Sequence, residues 1–226
     1  MLDRNLEPEV MDSPQEALDY DTIDHSTVNR VFVDDLLAVK ATPGDVLDLG
    51  TGTAQIPIEL CRRETTCRVL AADAAVSMLE LAHYNVEAAG LIHRIQLVHV
   101  DAKQLDYADD MFDTVISNSI VHHIPEPALV LAEAVRVTKP GGLLFFRDLL
   151  RPADVTTLND LVATYAGDAN EQQQKMFAES LHAALTLAEV REMVVALGFN
   201  PETVQATSDR HWTWCALKAT VGQGLS

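Results

Sequence analysis

Residues 46–54 read Val-Leu-Asp-Leu-Gly-Thr-Gly-Thr-Ala. A short apolar run that carries one acid, Asp48, passes directly into a loop in which Gly50 and Gly52 are separated by a single residue. Glycine at such positions lets a strand turn sharply and lets backbone amides approach a ligand closely. The stretch therefore predicts the first strand of a parallel sheet, with a ligand-binding turn at its carboxyl end.

Similar short apolar runs follow, separated by helical stretches, and this alternation is typical of repeated βα units. We predict strands near residues 46–49, 68–72, 95–100, 114–117 and 143–147, and helices over 56–62, 75–89 and 128–137. Two final strand-like runs, 202–207 and 211–218, predict an antiparallel hairpin at the sheet edge. Because crossover connections are right-handed, the pattern indicates an α/β, doubly wound sheet of about seven strands, mostly parallel, with helices on both faces.

We expect one domain over 1–226, because this length suffices for one α/β core and is short for two. Two helical patterns precede the sheet, one opening with the possible capping box Ser13-Pro14-Gln15-Glu16 and one starting near Ser26. They predict a helical cap or lid over 1–40. The polar helical pattern of 151–185 predicts a helical cover for a substrate.

Lys and Arg number 16 against 34 Asp and Glu, which gives a formal net charge of −18. This charge argues against nucleic acid and anionic membrane surfaces as partners and favours a small-molecule substrate. No apolar run approaches the ~20 residues of a membrane span, and residues 1–14 lack a signal-peptide pattern, so we expect no membrane insertion and a cytoplasmic location. The oligomeric state stays open. Cys61, Cys67 and Cys215 lack CxxC spacing, so we predict buried or incidental thiols and no metal site.

Polar residues mark the ends of the first four strands: Asp48 in the first, then Asp73, Asp101 and Asn118. The carboxyl ends of parallel strands form the ligand-binding edge of an open α/β sheet. Three acids there, beside a glycine turn, favour a nucleoside-like ligand over solvated loop ends. The dinucleotide fingerprint requires a third glycine where this chain has Gln55, which disfavours a nicotinamide cofactor.

In pattern the chain resembles the class I S-adenosylmethionine (SAM)-dependent methyltransferases of Rossmann-like fold, close to the small-molecule group that includes quinone-biosynthesis methyltransferases. The resemblance covers roughly residues 20–150. It rests on five motifs in order: Val46-Leu47-Asp48-Leu49-Gly50-Thr51-Gly52-Thr53-Ala54, Ala72-Asp73-Ala74-Ala75-Val76-Ser77-Met78-Leu79, Val100-Asp101-Ala102, Phe112-Asp113-Thr114-Val115-Ile116-Ser117-Asn118 and Lys139-Pro140-Gly141-Gly142. It implies an enzyme that uses SAM as cofactor, releases S-adenosylhomocysteine (SAH) and methylates a small molecule.

The resemblance also implies residue roles. Asp48 would hold the methionine ammonium, Asp73 would accept hydrogen bonds from both ribose hydroxyls, and Asp101 would accept one from the adenine amino group. The loop Gly50-Thr51-Gly52 would lie under the methionine and ribose, and Ala54 stands where the family often has glycine. Further cofactor contacts are implied for Tyr20, Ala74, Met78, Ala102, Asn118 and Ser119.

The implied reaction is a direct displacement, in which a substrate nucleophile attacks an already activated methyl group. Much of the catalysis can then come from alignment and water exclusion, so a general base is optional. His122 and His123, after the fourth strand, are the candidate catalytic residues, and His25 of the cap is a further candidate. A hydrogen-bonded structural role is the alternative for each histidine.

Two segments outside the motifs have alternative interpretations. Tyr20, Asp21 and Asp24 belong either to a lid over the cofactor or to a capping helix with exposed acids. Arg147 and Arg151, after the fifth strand, either meet an anionic substrate or form ion pairs with Asp148 between them.

Two other functions also stay open. The first is a SAM-binding protein without methyltransferase activity, a sensor or an assembly partner, because no indispensable base is evident. The second is an NAD-dependent oxidoreductase, which Gln55 disfavours.

Overall fold

The computed structural model describes residues 2–6, 12–22 and 25–220. Its strands are β1 (Asp45–Leu49), β2 (Arg68–Asp73), β3 (Ile95–His99), β4 (Phe112–Asn118), β5 (Thr138–Leu149), β6 (Val204–Ala206) and β7 (His211–Leu217). They form one seven-stranded sheet in the order β3-β2-β1-β4-β5-β7-β6. The first five strands are parallel, whereas β7 is antiparallel to both β5 and β6. The predicted mixed sheet with its antiparallel C-terminal hairpin is confirmed.

Helices pack against both faces of this sheet. They are α1 (Pro14–Asp21), α2 (Ser26–Val39), α3 (Gln55–Arg63), α4 (Val76–Ala88), α5 (Pro127–Val137), α6 (Val155–Ala166), α7 (Glu171–Ala183) and α8 (Leu187–Ala196). One apolar core joins α2, α3 and α4 to the sheet, and a second joins α5 and α8 to its other face. The arrangement follows from the apolar stripe that each helix presents.

Strand β5 begins earlier than the sequence pattern predicts. Phe112 pairs with Thr138, but Thr114 already pairs with Leu143, so several residues of β5 bulge out of the ladder. Gly141, within the bulge, has a φ of 76°, a conformation that glycine adopts without strain. The Lys139-Pro140-Gly141-Gly142 motif is therefore built into the strand as an irregularity.

The parallel strands end at nearly the same level. Leu49 pairs with Ala72 on one side and with Ser117 on the other, and Asp73 pairs with His99. The residues that follow these strands consequently meet at one edge of the sheet, as the strand-end pattern predicts.

Residues 151–185 contain two helices, α6 and α7, as the helical pattern indicates. They are joined to the end of β5 by an apolar cluster of Leu149, Leu158, Leu161, Leu181 and Ala184. A capping box of Asn170 and Gln173, which the sequence pattern did not reveal, opens α7. The helix α8 begins at the predicted capping box of Thr186 and Glu189.

Residues 2–6, here called the N-terminal strap, connect the cover helices to the loop after β4. Leu2 packs beside the apolar cluster of α6 and α7. Arg4 donates from Nε to the carbonyl of Ala183 at 2.8 Å, and from Nη2 to the carbonyls of His122 and Ile124 at 3.1 and 3.0 Å. One arginine side chain thus ties three distant segments together.

Several side chains outside the strand ends have structural roles. Trp212 and Trp214 are fully buried and belong to the apolar core that contains α5 and α8. The cysteines are free thiols, and Cys61 and Cys67 are buried with their sulfur atoms 3.9 Å apart. Within the described ranges, no group of three or more His, Cys, Asp or Glu side chains is arranged to hold a metal ion. None of the helices described is both long and apolar enough to cross a bilayer.

Candidate functional site

A cavity of about 620 Å³ opens at the carboxyl edge of the sheet. Most of the residues predicted to contact a cofactor line it: Tyr20, Gly50, Gly52, Asp73, Ala74, Met78, Asp101, Ala102, Asn118 and Ser119. The two candidate catalytic residues, His122 and His123, line it as well. Asp48 and Thr51 are buried and do not belong to the lining. The structure thus brings together residues from the ends of four strands.

The loop after β1 has an unusual backbone. Gly50, Gly52 and Ala54 have φ angles of 71°, 55° and 62°. At Gly50 a side chain is excluded as well, because a Cβ would lie 1.9 Å from Cγ2 of Ile120. Ala54 adopts the left-handed conformation despite its methyl group, which explains why glycine suits this position better.

Two backbone N–H groups at the carboxyl edge of the sheet hold the carboxylate of Asp73. Its Oδ2 accepts a hydrogen bond from the Gly52 N–H at 2.7 Å, and its Oδ1 accepts one from the Ala75 N–H at 2.9 Å. Burial raises the pKa of Asp73, and the backbone N–H groups oppose that rise. Each oxygen retains a further lone pair, so the fixed carboxylate can accept from two adjacent hydroxyls at once.

Asp48 lies deeper, with 2% of its surface exposed. Its Oδ2 has no hydrogen-bond partner within the described part of the chain. Burial raises the pKa of Asp48 to about 7; the Thr51 hydroxyl lowers it and the charge of Asp73 adds to the rise. A buried carboxylate with an unsatisfied oxygen is a site for a cationic group.

Asp101 differs from the other two acids because it is exposed. Its Oδ1 accepts from the backbone N–H of Lys103 at 2.9 Å and lies 3.0 Å from the Lys103 ammonium. Burial would raise its pKa, but the hydrogen bonds and charge of Lys103 hold the pKa below the ordinary value. It is an ionised acceptor at the mouth of the cavity.

Helix α1 covers the glycine loop through Tyr20. A Cβ at Gly52 would lie 3.8 Å from the Tyr20 ring, which packs 4.7 Å from the ring of His25. Burial raises the pKa of Tyr20, and the nearby Asp73 carboxylate adds to the rise. Asp21 has a structural role, since its Oδ1 accepts from Asn85 Nδ2. The other acid of the proposed lid, residue 24, lies outside the described residues.

His122 forms a buried pair with Asp148, a residue that the motifs did not single out. His122 Nδ1 lies 2.5 Å from Asp148 Oδ1, which also accepts from the Leu149 N–H at 2.6 Å. Asp148 Oδ2 accepts from the backbone N–H groups of Val121 and His122 at 2.6 and 3.3 Å. Burial would raise the pKa of Asp148, but the His122 ring and the hydrogen bonds hold it below its ordinary value. The rings of His122 and His123 are 4.1 Å apart between centroids.

Of the two alternatives for Arg147 and Arg151, the ion pairs with Asp148 are wrong. Arg147 pairs with Asp35 of α2 at 2.6 Å, and Arg151 pairs with Glu189 of α8 at 2.6 Å. Asp148 is unavailable to them because its side chain points to the opposite face of β5 from that of Arg147, where His122 and the backbone fill its oxygens.

Residues 47–146 match the family model described as a methyltransferase domain. This part of the chain is a methyltransferase domain. This confirms the family that the five motifs indicated. The matched range runs from β1 to β5 and includes the glycine loop and the strand-end acids Asp48, Asp73 and Asp101. The edge strands and cover helices lie outside the matched range.

Relatives of this methyltransferase domain agree with the match. The chain is 37% identical over 116 residues to a demethylmenaquinone methyltransferase of Mycobacterium marinum, covering 51% of this chain and 46% of the relative. It is 37% identical over 105 residues to a phosphatidylethanolamine N-methyltransferase of Cereibacter sphaeroides, covering 46% and 50%. The chain thus spans about half the length of the curated relatives it matches.

A solved structure extends the likeness over most of the fold. A SAM-dependent methyltransferase from Aquifex aeolicus superposes with a TM-score of 0.67 at 18% identity, covering 91% of this chain and 98% of that one. At this identity the comparison concerns the fold, and it supports the Rossmann-like assignment of the methyltransferase domain.

Proposed function

We propose that this chain binds SAM and transfers its methyl group to a small molecule by direct displacement. The observation that carries the proposal is Asp73, whose two oxygens are fixed by the backbone of the glycine loop and of the β2–α4 turn and line the cavity. The named activities of the two curated relatives concern a quinone and a lipid, which supports a small-molecule acceptor. The net charge of −18 argues against a nucleic-acid acceptor.

The residues present fit SAM. Asp73 would accept from the ribose hydroxyls, and Asp101 from the adenine amino group. Asp48 would bind the methionine ammonium, because its Oδ2 is buried without a partner in the described chain and burial raises its pKa, a rise that a neighbouring cation would offset. Gly50 and Gly52 allow the backbone to approach the cofactor without side chains in the way.

When bound, SAM supplies a methyl group that is already activated by a sulfonium. The protein then has to align the acceptor and exclude water. Tyr20 covers one side of the cavity, and Phe177 and Met176 of α7 contribute to another. These helices are the proposed lid and the proposed substrate cover.

His122 is the proposed general base, and Asp148 is its positioning residue. A carboxylate oxygen only accepts hydrogen bonds, so Nδ1 of His122 donates to Asp148 and a neutral ring carries its lone pair on Nε2. The buried Asp148 also stabilises the imidazolium that forms when Nε2 takes a proton from an acceptor hydroxyl. His123, stacked beside this ring in the cavity wall, is the second proposed catalytic residue.

Isothermal titration with SAM and SAH tests cofactor binding. Asp73→Ala is expected to weaken SAH binding by at least about tenfold, because it removes a charged acceptor from two hydroxyls. Asp109→Ala is the matched control, since Asp109 is an exposed acid that pairs with Arg136. An absence of binding to both SAM and SAH would refute the proposal.

An untargeted mass-spectrometric screen for a SAM-dependent gain of one methyl group tests the reaction. With an acceptor identified, His122→Asn is expected to lower kcat and to leave SAH binding unchanged. Tight SAH binding with no methylated product would instead support a SAM-binding protein without methyltransferase activity.

A further inference from the structure

The cavity has a second group of lining residues that the family motifs do not include. They come from α2, α7, the end of β5 and the turn into β7. Five of them are apolar and are called here the apolar wall: Val28, Val31, Leu149, Met176 and Phe177. A ligand that fills this part of the cavity therefore has an apolar body.

Two guanidinium groups stand in the same lining, on Arg147 and Arg210. Arg147 is fixed on β5: Nη2 donates to Asp35 at 2.6 Å, Nε donates to the Thr213 hydroxyl at 3.0 Å, and its side chain is 11% exposed. The guanidinium carbon also lies 5.7 Å from the Phe145 ring centroid. Arg147 is thus a pre-positioned cation whose charge is largely balanced by Asp35.

Arg210 is held differently. Its guanidinium carbon lies 3.4 Å from the centroid of the Tyr165 ring, which fixes the plane of the group by stacking. Its contact with Asp209, at 3.5 Å, is long for a charged hydrogen bond, and Asp209 is already bound by the Tyr165 hydroxyl at 2.6 Å. With its side chain only 17% exposed, Arg210 presents N–H donors in the cavity lining that this carboxylate does not satisfy well.

His211 follows Arg210 in the sequence and begins β7, the strand that pairs with the Arg147 strand, β5. It pairs with Leu149 across the β5–β7 ladder, two positions from Arg147. Burial, together with the charges of Arg210 and Arg147, lowers the pKa of His211 to about 4, although the charges of Asp148 and Asp209 oppose this shift. The ring is therefore neutral at neutral pH, and the positive potential of this wall comes from the guanidinium groups.

We propose that the methyl acceptor is an apolar carboxylic acid, whose carboxylate binds Arg210 with support from Arg147 and whose body packs against the apolar wall. This inference rests on the proposed function and names the substrate class for the same site. A monoanion matches the charge available, because Asp35 balances Arg147 and leaves about one guanidinium to be neutralised. A planar carboxylate also matches the paired donors of a stacked guanidinium.

The test uses decanoate and trans-cinnamate as probes, each compared with its neutral amide. They are titrated into the full chain saturated with SAH. We expect at least one acid to bind at least about tenfold more tightly than its amide, the preference of a charge-assisted hydrogen bond over a neutral one. Arg210→Gln should remove most of that preference and leave amide binding within about twofold.

Two variants separate charge from packing. Arg210→Lys keeps the charge but loses the paired donors, so it should retain only part of the preference. Arg68→Gln is the control, because Arg68 is an exposed residue of β2 that pairs with Asp45. Thermal melts in the presence of SAH establish that each variant is folded.

The outcomes are distinguishable. Failure of SAH to bind the unmodified chain overturns the proposed function. Normal SAH binding with equal affinity for acids and amides, or with no binding of any of the four probes, overturns only the acid specificity. An Arg210→Gln variant that weakens acid and amide alike also overturns it, because Arg210 would then act through packing alone.

Discussion

Asp48→Asn should make the cofactor-free protein more stable at pH 8 and at the same time impair cofactor binding. Asp48 is 2% exposed and its pKa is raised to about 7 from the model-peptide value of 3.8, mainly by burial. A shift of this size, at about 1.4 kcal/mol per pH unit, corresponds to about 4 kcal/mol. That is a large fraction of the about 5–15 kcal/mol by which a domain is stable.

The sign follows from proton binding. In the unfolded chain Asp48 loses its proton near pH 4, whereas in the folded chain it keeps the proton up to about pH 7. Between these values the folded state holds more protons, so this residue makes the folded state progressively less stable as the pH rises. Asparagine has nearly the same shape and does not titrate, so it removes this dependence.

Urea unfolding of the cofactor-free protein at pH 5 and at pH 8 measures the effect. The free energy of unfolding of Asp48→Asn, relative to the unmodified chain, should increase by roughly 2–3 kcal/mol between the two pH values, because at pH 5 the unfolded-state carboxyl is already ionised and about two pH units remain below the folded pKa of about 7. The free-energy cost of burying the asparagine amide without partners is the same at both pH values, so it cancels when the two values are compared. Asp45→Asn, in the same strand but exposed and paired with Arg68, should change by less than about 1 kcal/mol.

Cofactor binding should also depend on pH, but in the opposite direction to stability. SAH affinity for the unmodified chain should rise with pH between about 5 and 7, because the ammonium pairs with the ionised carboxylate, and this rise should be lost in Asp48→Asn. An unchanged stability difference between pH 5 and pH 8 would show that Asp48 is already ionised in the folded chain, and the reasoning would be wrong.

Three further predictions concern the loops around the cavity. Gly50→Ala should lower the free energy of unfolding by at least about 2 kcal/mol in urea titrations, because its Cβ meets Ile120 at 1.9 Å and its φ is positive; a neutral effect would contradict this. Asp148→Asn should cost about 1–3 kcal/mol of stability and lower methyl transfer with SAH binding within about threefold, because one buried N–H loses its acceptor and His122 loses its orientation. Arg4→Ala should lower the urea midpoint by removing donors to three carbonyls, and an unchanged midpoint would mean that the N-terminal strap contributes no stability.

Much of the cofactor edge could be predicted from the sequence because its residues follow a local rule. Asp73 and Asp101 come directly after apolar runs, and parallel strands end at a common edge. Their positions in the cavity lining follow from that rule without knowledge of any long-range contact. The register irregularity of β5 escaped prediction because Gly141 and its neighbours are equally typical of a turn.

The arginines of the cavity wall were less accessible to sequence analysis. Arg147 and Arg210 are 63 positions apart in the numbering and line the same cavity because β7 pairs with β5. The alternative that paired Asp148 with Arg147 and Arg151 rested on their closeness in sequence, whereas alternation along β5 turns Asp148 to the other face, toward His122. Contacts of this kind depend on packing that no short pattern encodes.

The N-terminal strap has a consequence for the order of events during synthesis. Arg4 leaves the ribosome long before residues 122–124 and 183, yet all its acceptors lie there. The strap must therefore wait, unpaired, until α7 has emerged. The histidine loop can acquire its final support only after that point, so a nascent chain halted after β5 should hold the strand-end edge of the cavity but not a finished histidine loop.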